Sequence, residues 1–245
     1  LLKRAGVAGL GLTALGSLAT SARGATNAKI VVVGAGLAGL TCAYRLKRAG
    51  LVADVHEASD RLGGRCWTGR DFFAGGQIYE HGGELIDQGH TQIRSLAQEL
   101  GLKLDNLLRA EPNDTELIAH IGGAPYTYAE ITDDIKGIWH KIHSDVSAAS
   151  FPTLFDSSTE RGRELDQLSI IDWLNESIPD GGANTRLGKL LDVAYNIEYG
   201  LECHEQSSLN LLYLIGYAGQ GQFRAFGRSD DRCHVRGGND QFPTR

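Results

Sequence analysis

The chain has 245 residues, 42% of them hydrophobic, and a formal net charge of −6 at pH 7. A chain of this length and hydrophobic content can bury one or two sizeable cores. The negative net charge, with lysines and arginines scattered along the sequence, argues against a nucleic-acid partner because phosphate binding requires a concentrated basic surface.

Residues 1–25 carry the pattern of an export signal rather than that of a folded domain. A basic pair precedes residues 5–19, a segment of small and moderately apolar residues. That segment is shorter than the roughly 20 residues needed to span a bilayer. Small residues suited to signal-peptidase cleavage follow, near Ala22 or Gly24. The pattern resembles the later part of a bacterial twin-arginine signal and predicts an exported protein, periplasmic or extracellular, without a stable membrane span.

Residues 30–57 predict one complete β-α-β unit. The β-branched run Ile30–Val33 is typical of a parallel strand buried on both faces. Residues 41–48 have the apolar spacing of a helix, which Gly50 would end. A second strand then leads to Glu57.

A Gly-x-Gly-x-x-Gly turn joins the first strand to the helix, and each glycine has a physical role. Gly34 allows the tight turn, Gly36 lets the backbone approach a pyrophosphate, and Gly39 lets the helix lie close to the strand. The phosphates would bind at the helix N-terminus, around Leu37 and Ala38, where free N–H groups and the helix dipole favour negative charge. Between a strand and a helix, this turn predicts a dinucleotide site.

Glu57 lies roughly 20 residues beyond the turn, where a carboxylate can accept hydrogen bonds from ribose hydroxyls and disfavours the 2′-phosphate of NADP. The sequence continues from Glu57 to Arg65 as EASDRLGGR. With the turn, this motif resembles the flavin-containing amine oxidase superfamily, which includes bacterial flavin monoamine oxidases and L-amino acid oxidases. The resemblance implies FAD as the cofactor, with Ala58 beside Glu57 in its site. The Arg65 guanidinium would bind pyrophosphate oxygens.

A third motif, YEHGGELI at residues 79–86, resembles the segment that passes the isoalloxazine ring in this superfamily. The resemblance implies that Gly82, Gly83, Glu84 and Leu85 line the flavin. We expect Glu84 to hydrogen-bond the cofactor or a nearby backbone rather than to act as an acid or base. In venom-type L-amino acid oxidases an arginine that binds the substrate carboxylate follows closely. Leu85 stands at that place here, which argues against amino-acid recognition of that type.

The remaining sequence predicts a mixed, largely helical domain. Ser169 with Asp172 indicates a helix that starts at Ile170. His140 and His143 lie at i, i+3, but without a third convergent ligand they favour a solvated helix face over a metal site. The expected elements are a helix at 90–101, a hairpin at 117–128, and helices near 129–149, 160–176 and 184–200.

No C-x-x-C pair occurs among the four cysteines, which argues against a zinc site, and we expect no bound metal. Free, buried thiols are expected, and a Cys203–Cys233 disulfide is the alternative in an exported protein. The cysteines are Cys42, Cys66, Cys203 and Cys233.

These motifs indicate an α/β protein with a Rossmann-like FAD-binding domain of the GR2 type and a mixed, largely helical substrate domain. Because the chain starts with Leu and stops at Arg245, where a helix should begin, we expect it to be incomplete at the C-terminus. The expected division is a truncated twin-arginine-like signal at 1–25, the N-terminal part of the FAD-binding domain at 26–110, the helical substrate domain at 111–232, and a truncated return segment to the FAD domain at 233–245.

The resemblance implies FAD-dependent oxidation of a primary amine or L-amino acid to the imine, then to an aldehyde or keto acid, with O2 reduced to H2O2. The expected partners are that small-molecule substrate and O2, and a homodimer is one expected assembly. Catalytic residues are expected beyond Arg245, following the order of the family, and none is assigned here. The alternatives are another FAD-dependent oxidoreductase, such as a desaturase or porphyrinogen oxidase, or a catalytically incomplete FAD-binding fragment.

Overall fold

The computed structural model describes residues 29–111 and 115–245, which form two compact units. The first unit contains residues 29–110 and Asp231–Arg245, and the second contains the described part of Glu111–Asp230. The expected export signal at 1–25 lies outside the described residues. Of the helices in the described ranges, none is long and apolar enough to cross a membrane.

The first unit contains both strands and helices, whereas the second is mainly helical. In chain order they are β1 (Ile30–Val33), α1 (Leu37–Arg48), β2 (Ala53–His56), β3 (Thr68–Gly69), β4 (Tyr79–Glu80), α2 (Thr91–Glu99), β5 (Leu104–Asn106), β6 (Ile118–Ile121), β7 (Ala124–Thr127), α3 (Tyr128–Ala149), α4 (Glu160–Gln167), α5 (Ile170–Ser177), α6 (Arg186–Tyr199), α7 (Ser208–Ile215), β8 (Cys233–Val235) and α8 (Gln241–Thr244).

The predicted β-α-β unit is present in the first unit. β1 and β2 are parallel, with Ile30 opposite Ala53 and Val33 opposite His56. Helix α1 connects them and ends as predicted. Gly50, at φ +79°, donates its N–H to the carbonyl of the last turn of the helix. That backbone conformation is accessible to glycine without strain.

The prediction that β1 is buried on both faces is wrong. Val31 is 48% exposed and Val33 is 87% exposed. Val32 faces α1, where its Cγ1 lies 3.2 Å from the position that a Cβ on Gly39 would take. Successive strand residues point to opposite faces, so one face of β1 packs on the helix and the other is open. Within the described ranges β1 pairs with β2 alone.

The remaining elements of the first unit pack around a small apolar core. β5 pairs antiparallel with β8, with Leu104 opposite Val235, so the last residues of the chain lie against the residues that follow α2. Glu99 at the end of α2 forms ion pairs with Arg45 and Arg48 of α1. The buried members of this core are Ile86, Ala97, Leu102, Cys233, Val235 and Phe242.

The second unit is built on the predicted hairpin and a long helix. β6 and β7 are antiparallel, and α3 starts directly after β7 with a capping box between Thr127 and Glu130. Tyr126, Trp173 and Tyr195 are fully buried in a core formed mainly by leucines and isoleucines. This core is larger than that of the first unit.

The single helix predicted at 160–176 is two helices. Leu168 is extended, with ψ 130°, and ends α4. The Ser169 hydroxyl then accepts a hydrogen bond from the Asp172 N–H at 3.0 Å and caps α5, which confirms the predicted start at Ile170. A bridge between Ser169 and Ser207 fixes the break, because the chain there pairs with another segment instead of with its own preceding turn.

The polar residues considered as metal ligands or disulfide partners have other surroundings. His143 stacks on Trp139 with ring centroids 4.1 Å apart, so it does not lie on a solvated helix face. All four cysteines are free, and Cys42 is exposed on α1 while the other three are buried. In the described ranges no group of three His, Cys, Asp or Glu residues is placed to hold a metal ion.

Candidate functional site

Three separate segments of the first unit line one open cleft of about 1090 Å³. They come from the start of α1, from the motif before β3, and from the residues after β4. The Gly63 N–H donates to the Ala35 carbonyl at 2.8 Å, and this bond draws the second motif against the first. The lining residues are Gly36, Leu37, Ala38, Arg61, Gly63, Gly64, Arg65, Cys66, Trp67, His81, Gly82 and Gly83.

The Gly-rich turn has the geometry that a dinucleotide requires. Gly34 has φ +95°, a conformation that favours glycine. A Cβ on Gly36 would meet no protein atom within 4 Å, whereas a Cβ on Gly39 would lie 2.0 Å from the Gly34 carbonyl oxygen. Gly39 therefore holds the helix against the turn, while the space beside Gly36 is open to a ligand. Gly36 caps α1 without a side chain, which leaves the first N–H groups of the helix free for an anion.

Glu57 is held as an ionised carboxylate at the end of β2. Its Oε1 accepts from the Ser59 N–H at 2.9 Å and its Oε2 accepts from the Ala35 N–H at 2.6 Å. These backbone hydrogen bonds lower the pKa of Glu57 to about 2. The Ser59 hydroxyl is a second donor to Oε1, so Oε2 keeps the greater accepting capacity for a ribose hydroxyl. Ala58, the next residue, is exposed.

Two arginines of the second motif line the cleft, and the sequence had indicated only one of them as a ligand. Arg65 is exposed and makes no hydrogen bond or ion pair within the described part of the chain. Arg61 lies over the Trp67 ring, with its guanidinium carbon 4.6 Å from the ring centroid. Its Nη1 is buried and has no hydrogen-bond partner among the described residues. A buried donor without a partner is costly, so Arg61 fits an anionic ligand in this cleft.

An aromatic stack forms the far part of the cleft wall. Trp67 and His81 lie parallel, with ring centroids 3.6 Å apart and an interplanar angle of 12°. His81 is also fixed through its backbone N–H, which donates to the Trp67 carbonyl at 2.8 Å. Neither residue was assigned to the site from the sequence. The signal that could have indicated Trp67 is its position immediately beyond the Gly-Gly-Arg motif.

The third motif contributes backbone rather than side chains. Gly83 has φ +67°, and a Cβ on Gly82 would lie 3.0 Å from the Arg65 carbonyl oxygen. Both glycines line the cleft. Glu84 and Leu85 follow directly but are not part of its lining, and the Glu84 side chain is exposed. The side chain of Asn239, which the sequence did not indicate, donates to the Gly83 and Glu84 carbonyls.

The structure thus brings half of the predicted cofactor residues directly to one cleft: Gly36, Leu37, Ala38, Arg65, Gly82 and Gly83. Gly34 and Gly39 shape the turn behind it, Glu57 contacts that turn, and Ala58 and Leu85 lie outside the lining. The uncapped start of α1, the ionised Glu57 carboxylate and the Arg61 guanidinium, whose buried Nη1 has no partner in the described ranges, suit the phosphates and sugar of FAD. The residues present therefore fit the cofactor that the motifs imply.

Comparison with known proteins agrees with this fit. The family model described as flavin containing amine oxidoreductase matches residues 37–245. The chain is 30% identical to the putrescine oxidase of Kocuria rosea over 169 residues, which is 65% of this chain and 33% of that protein. It is 29% identical to the nicotine dehydrogenase of Pseudomonas putida over 245 residues, 96% of this chain and 48% of that protein. An L-amino-acid oxidase of Siganus canaliculatus is 32% identical over 57% of this chain and 26% of that protein.

The fold is also shared with solved structures. Cyclohexylamine oxidase from Brevibacterium oxydans superposes with a TM-score of 0.67 at 21% identity, over 88% of this chain and 48% of that one. A triple mutant of a putrescine oxidase gives 0.66 at 24% identity, over 88% and 47%. The chain spans half or less of the length of these proteins. The family match confirms the resemblance read from the motifs: the chain belongs to the flavin-containing amine oxidoreductases, and its cofactor is FAD.

Proposed function

We propose that the protein oxidises a primary amine or an L-amino acid to the imine, which hydrolyses to an aldehyde or keto acid, with O2 reduced to H2O2. The observation that carries this proposal is the joining of three cofactor motifs in one cleft of a chain that belongs to an amine oxidoreductase family. Bound FAD would accept a hydride from the substrate carbon that bears the nitrogen.

The residues of this chain would bind and orient the cofactor rather than the substrate. Glu57 would accept hydrogen bonds from ribose hydroxyls, and the uncapped N-terminus of α1 would stabilise phosphate charge. Arg61 and Arg65 add positive charge along the same cleft. Gly82 and Gly83 let the backbone pass close beside a planar ring.

An amine is the favoured substrate class within this proposal. Leu85, an apolar residue, stands where the venom-type L-amino acid oxidases place a carboxylate-binding arginine. Relatives named putrescine oxidase and L-amino-acid oxidase are both similar to this chain at close to the same identity, so identity alone does not separate the two classes. A relative named a dehydrogenase is similar over 96% of the chain, which favours testing electron acceptors besides O2.

The test uses the complete natural protein, purified with its flavin. A panel of amines and L-amino acids is added without oxygen, and bleaching of the flavin absorption reports reduction. Oxygen is then admitted and peroxide is measured. Bleaching by an amine followed by peroxide release supports the proposal, and bleaching by amino acids alone would show that Leu85 does not exclude them. Bleaching without peroxide would indicate a dehydrogenase. Intact FAD that no amine or amino acid reduces would refute the proposal.

Residues 1–25 are proposed to direct export of the folded protein. The support is the sequence pattern alone, a basic pair followed by a short apolar segment and small residues. Secretion from a bacterial host followed by N-terminal sequencing tests it. We expect the mature protein to start between Ala22 and Ala25, and a mature protein that keeps residues 5–19 would contradict export by cleavage.

A further inference from the structure

Asn239 lies in the first unit and is 1% exposed. Its side-chain Nδ2 donates to the carbonyls of Gly83 and Glu84, both at 2.6 Å. Its Oδ1 accepts from the Val235 N–H at 2.8 Å. All the hydrogen-bonding groups of this amide are therefore used, and the partners are backbone groups from two distant parts of the chain.

Only one orientation of the Asn239 amide satisfies these partners. A rotated amide would place its oxygen against two carbonyl oxygens and its N–H groups against the N–H of Val235. The backbone of Asn239 is fixed as well. Its N–H donates to Glu80 Oε1 at 2.9 Å, and its carbonyl accepts from the Cys66 thiol, at 3.3 Å from the sulfur.

Glu80, whose carboxylate accepts from the Asn239 N–H, also contacts two other side chains. Its side chain is 2% exposed and accepts from the Thr68 hydroxyl at 2.8 Å. The His234 ring lies 2.9 Å from the same carboxylate through its Nε2. The network therefore ties β3 and β4 to the segment that follows β8, and through Asn239 it reaches the Gly83 and Glu84 carbonyls, to which the Asn239 side chain donates.

The backbone that Asn239 holds belongs to the cofactor cleft. Gly83 lines that cleft together with Gly82, Trp67 and the start of α1. A displacement of Gly83 would therefore change the surface that FAD contacts.

We infer that Asn239 is a positioning residue for the cofactor: by binding the Gly83 and Glu84 carbonyls it fixes the Gly82–Gly83 backbone that lines the cleft. The inference rests on binding of FAD in this cleft, and it does not depend on which substrate is oxidised.

The test compares two isosteric changes in the complete natural protein. Asn239→Asp keeps the oxygen that accepts from Val235 and replaces both N–H donors with an oxygen that faces two carbonyls. Asn210→Asp, in the helical unit, removes a single bond to Gln206 and is the matched control. FAD dissociation, the flavin absorption spectrum and the flavin midpoint potential are measured for both variants without substrate.

We expect Asn239→Asp to weaken FAD binding about tenfold, to alter the fine structure of the flavin spectrum and to shift the midpoint potential. Asn210→Asp should change none of the three. If Asn239→Asp fails to fold, Asn239→Ser, which keeps one donor, should give a smaller change in the same direction. A spectrum and potential equal to those of the unaltered protein in the folded variant would overturn the inference, because a merely structural role moves stability alone.

Discussion

The backbone N–H of Ala35, inside the Gly-rich turn, donates to Oε2 of Glu57 at the end of β2, with 2.6 Å between the two atoms. One hydrogen bond therefore joins the Gly-rich turn to Glu57, the two features that we propose bind the phosphates and the ribose of FAD. The pKa of Glu57 is lowered from its ordinary value of 4.5 to about 2, so the carboxylate is ionised at neutral pH.

Glu57→Gln should weaken FAD binding by about tenfold or more, because a neutral amide is a weaker acceptor for ribose hydroxyls. Because the pKa of Glu57 is lower in the folded protein, its ionised carboxylate stabilises the fold. This stabilisation is complete above about pH 4.5 and is lost as the pH falls towards 2. FAD retention should therefore be constant between about pH 5 and pH 8. Fluorescence titration of FAD checks both statements. Asp54→Asn, an exposed carboxylate on the same strand, is the control and should leave FAD binding unchanged.

Gly36→Ala should impair FAD binding, whereas Gly39→Ala should impair the stability of the fold. At Gly36 the backbone has φ −74° and a new methyl group meets no protein atom, so the free energy of unfolding without FAD should change by less than about 0.5 kcal/mol. Binding of FAD should nevertheless be lost. At Gly39 the methyl would strike the Gly34 carbonyl and destabilise the fold by about 1–3 kcal/mol. Thermal unfolding of both variants, with and without FAD, distinguishes a loss of binding from a loss of stability. Equal loss of stability in both variants would contradict the ligand-facing assignment of Gly36.

Arg61→Gln and Arg65→Gln should each weaken FAD binding by about tenfold, with different dependence on salt. Arg61 has a buried Nη1, so the loss on its removal should persist at high ionic strength. Arg65 is exposed, and its contribution should fade as salt is added. FAD dissociation constants at about 0.05 M and 1 M salt test this. An Arg61 variant with unaltered FAD affinity would show that its guanidinium does not meet the cofactor.

Asp145→Ala should destabilise the helical unit by about 3–5 kcal/mol. Burial opposes ionisation of Asp145, but hydrogen bonds from Lys141, Trp173 and Arg161 outweigh it, and the net effect lowers its pKa below 3.8. The resulting stability is present above that pH and is lost as the pH falls below it.

Chemical denaturation of the Asp145 variant at neutral pH, with Asp133→Asn as the control, checks the size of this effect. Asp133 is exposed and, within the described ranges, pairs only with Lys136 on the same helix, so its removal should cost less than about 0.5 kcal/mol. Equal destabilisation by both changes would show that burial of Asp145 is not the cause.

The Gly-rich turn, Glu57 and the helix between them could be predicted because each is specified by residues close in sequence. The roles of Asn239 and Glu80 could not be predicted, because the hydrogen bond between them spans 159 positions. No local pattern distinguishes an asparagine that hydrogen-bonds a distant loop from one in an ordinary turn. Arg61 was visible in its motif, but its buried and unpaired nitrogen appears only after Trp67 covers it.

Two of the predictions made from the sequence, the burial of β1 on both faces and the single helix at 160–176, were wrong for simple physical reasons. A run of valines has the same appearance whether one face of a strand or both are covered, so the exposure of Val33 was not visible in the sequence. The break at Leu168 was indicated by the Ser169 cap, yet helix-forming residues on both sides made one long helix equally consistent with the pattern.

The open face of β1 has a practical consequence for handling these 245 residues on their own. A strand that exposes Val31 and Val33, and that pairs on one side only within the described ranges, offers a template for a strand from another molecule. We expect a polypeptide of these 245 residues to aggregate on warming before its helices unfold, which turbidity would report. Charged residues in place of Val31 and Val33 should prevent this aggregation.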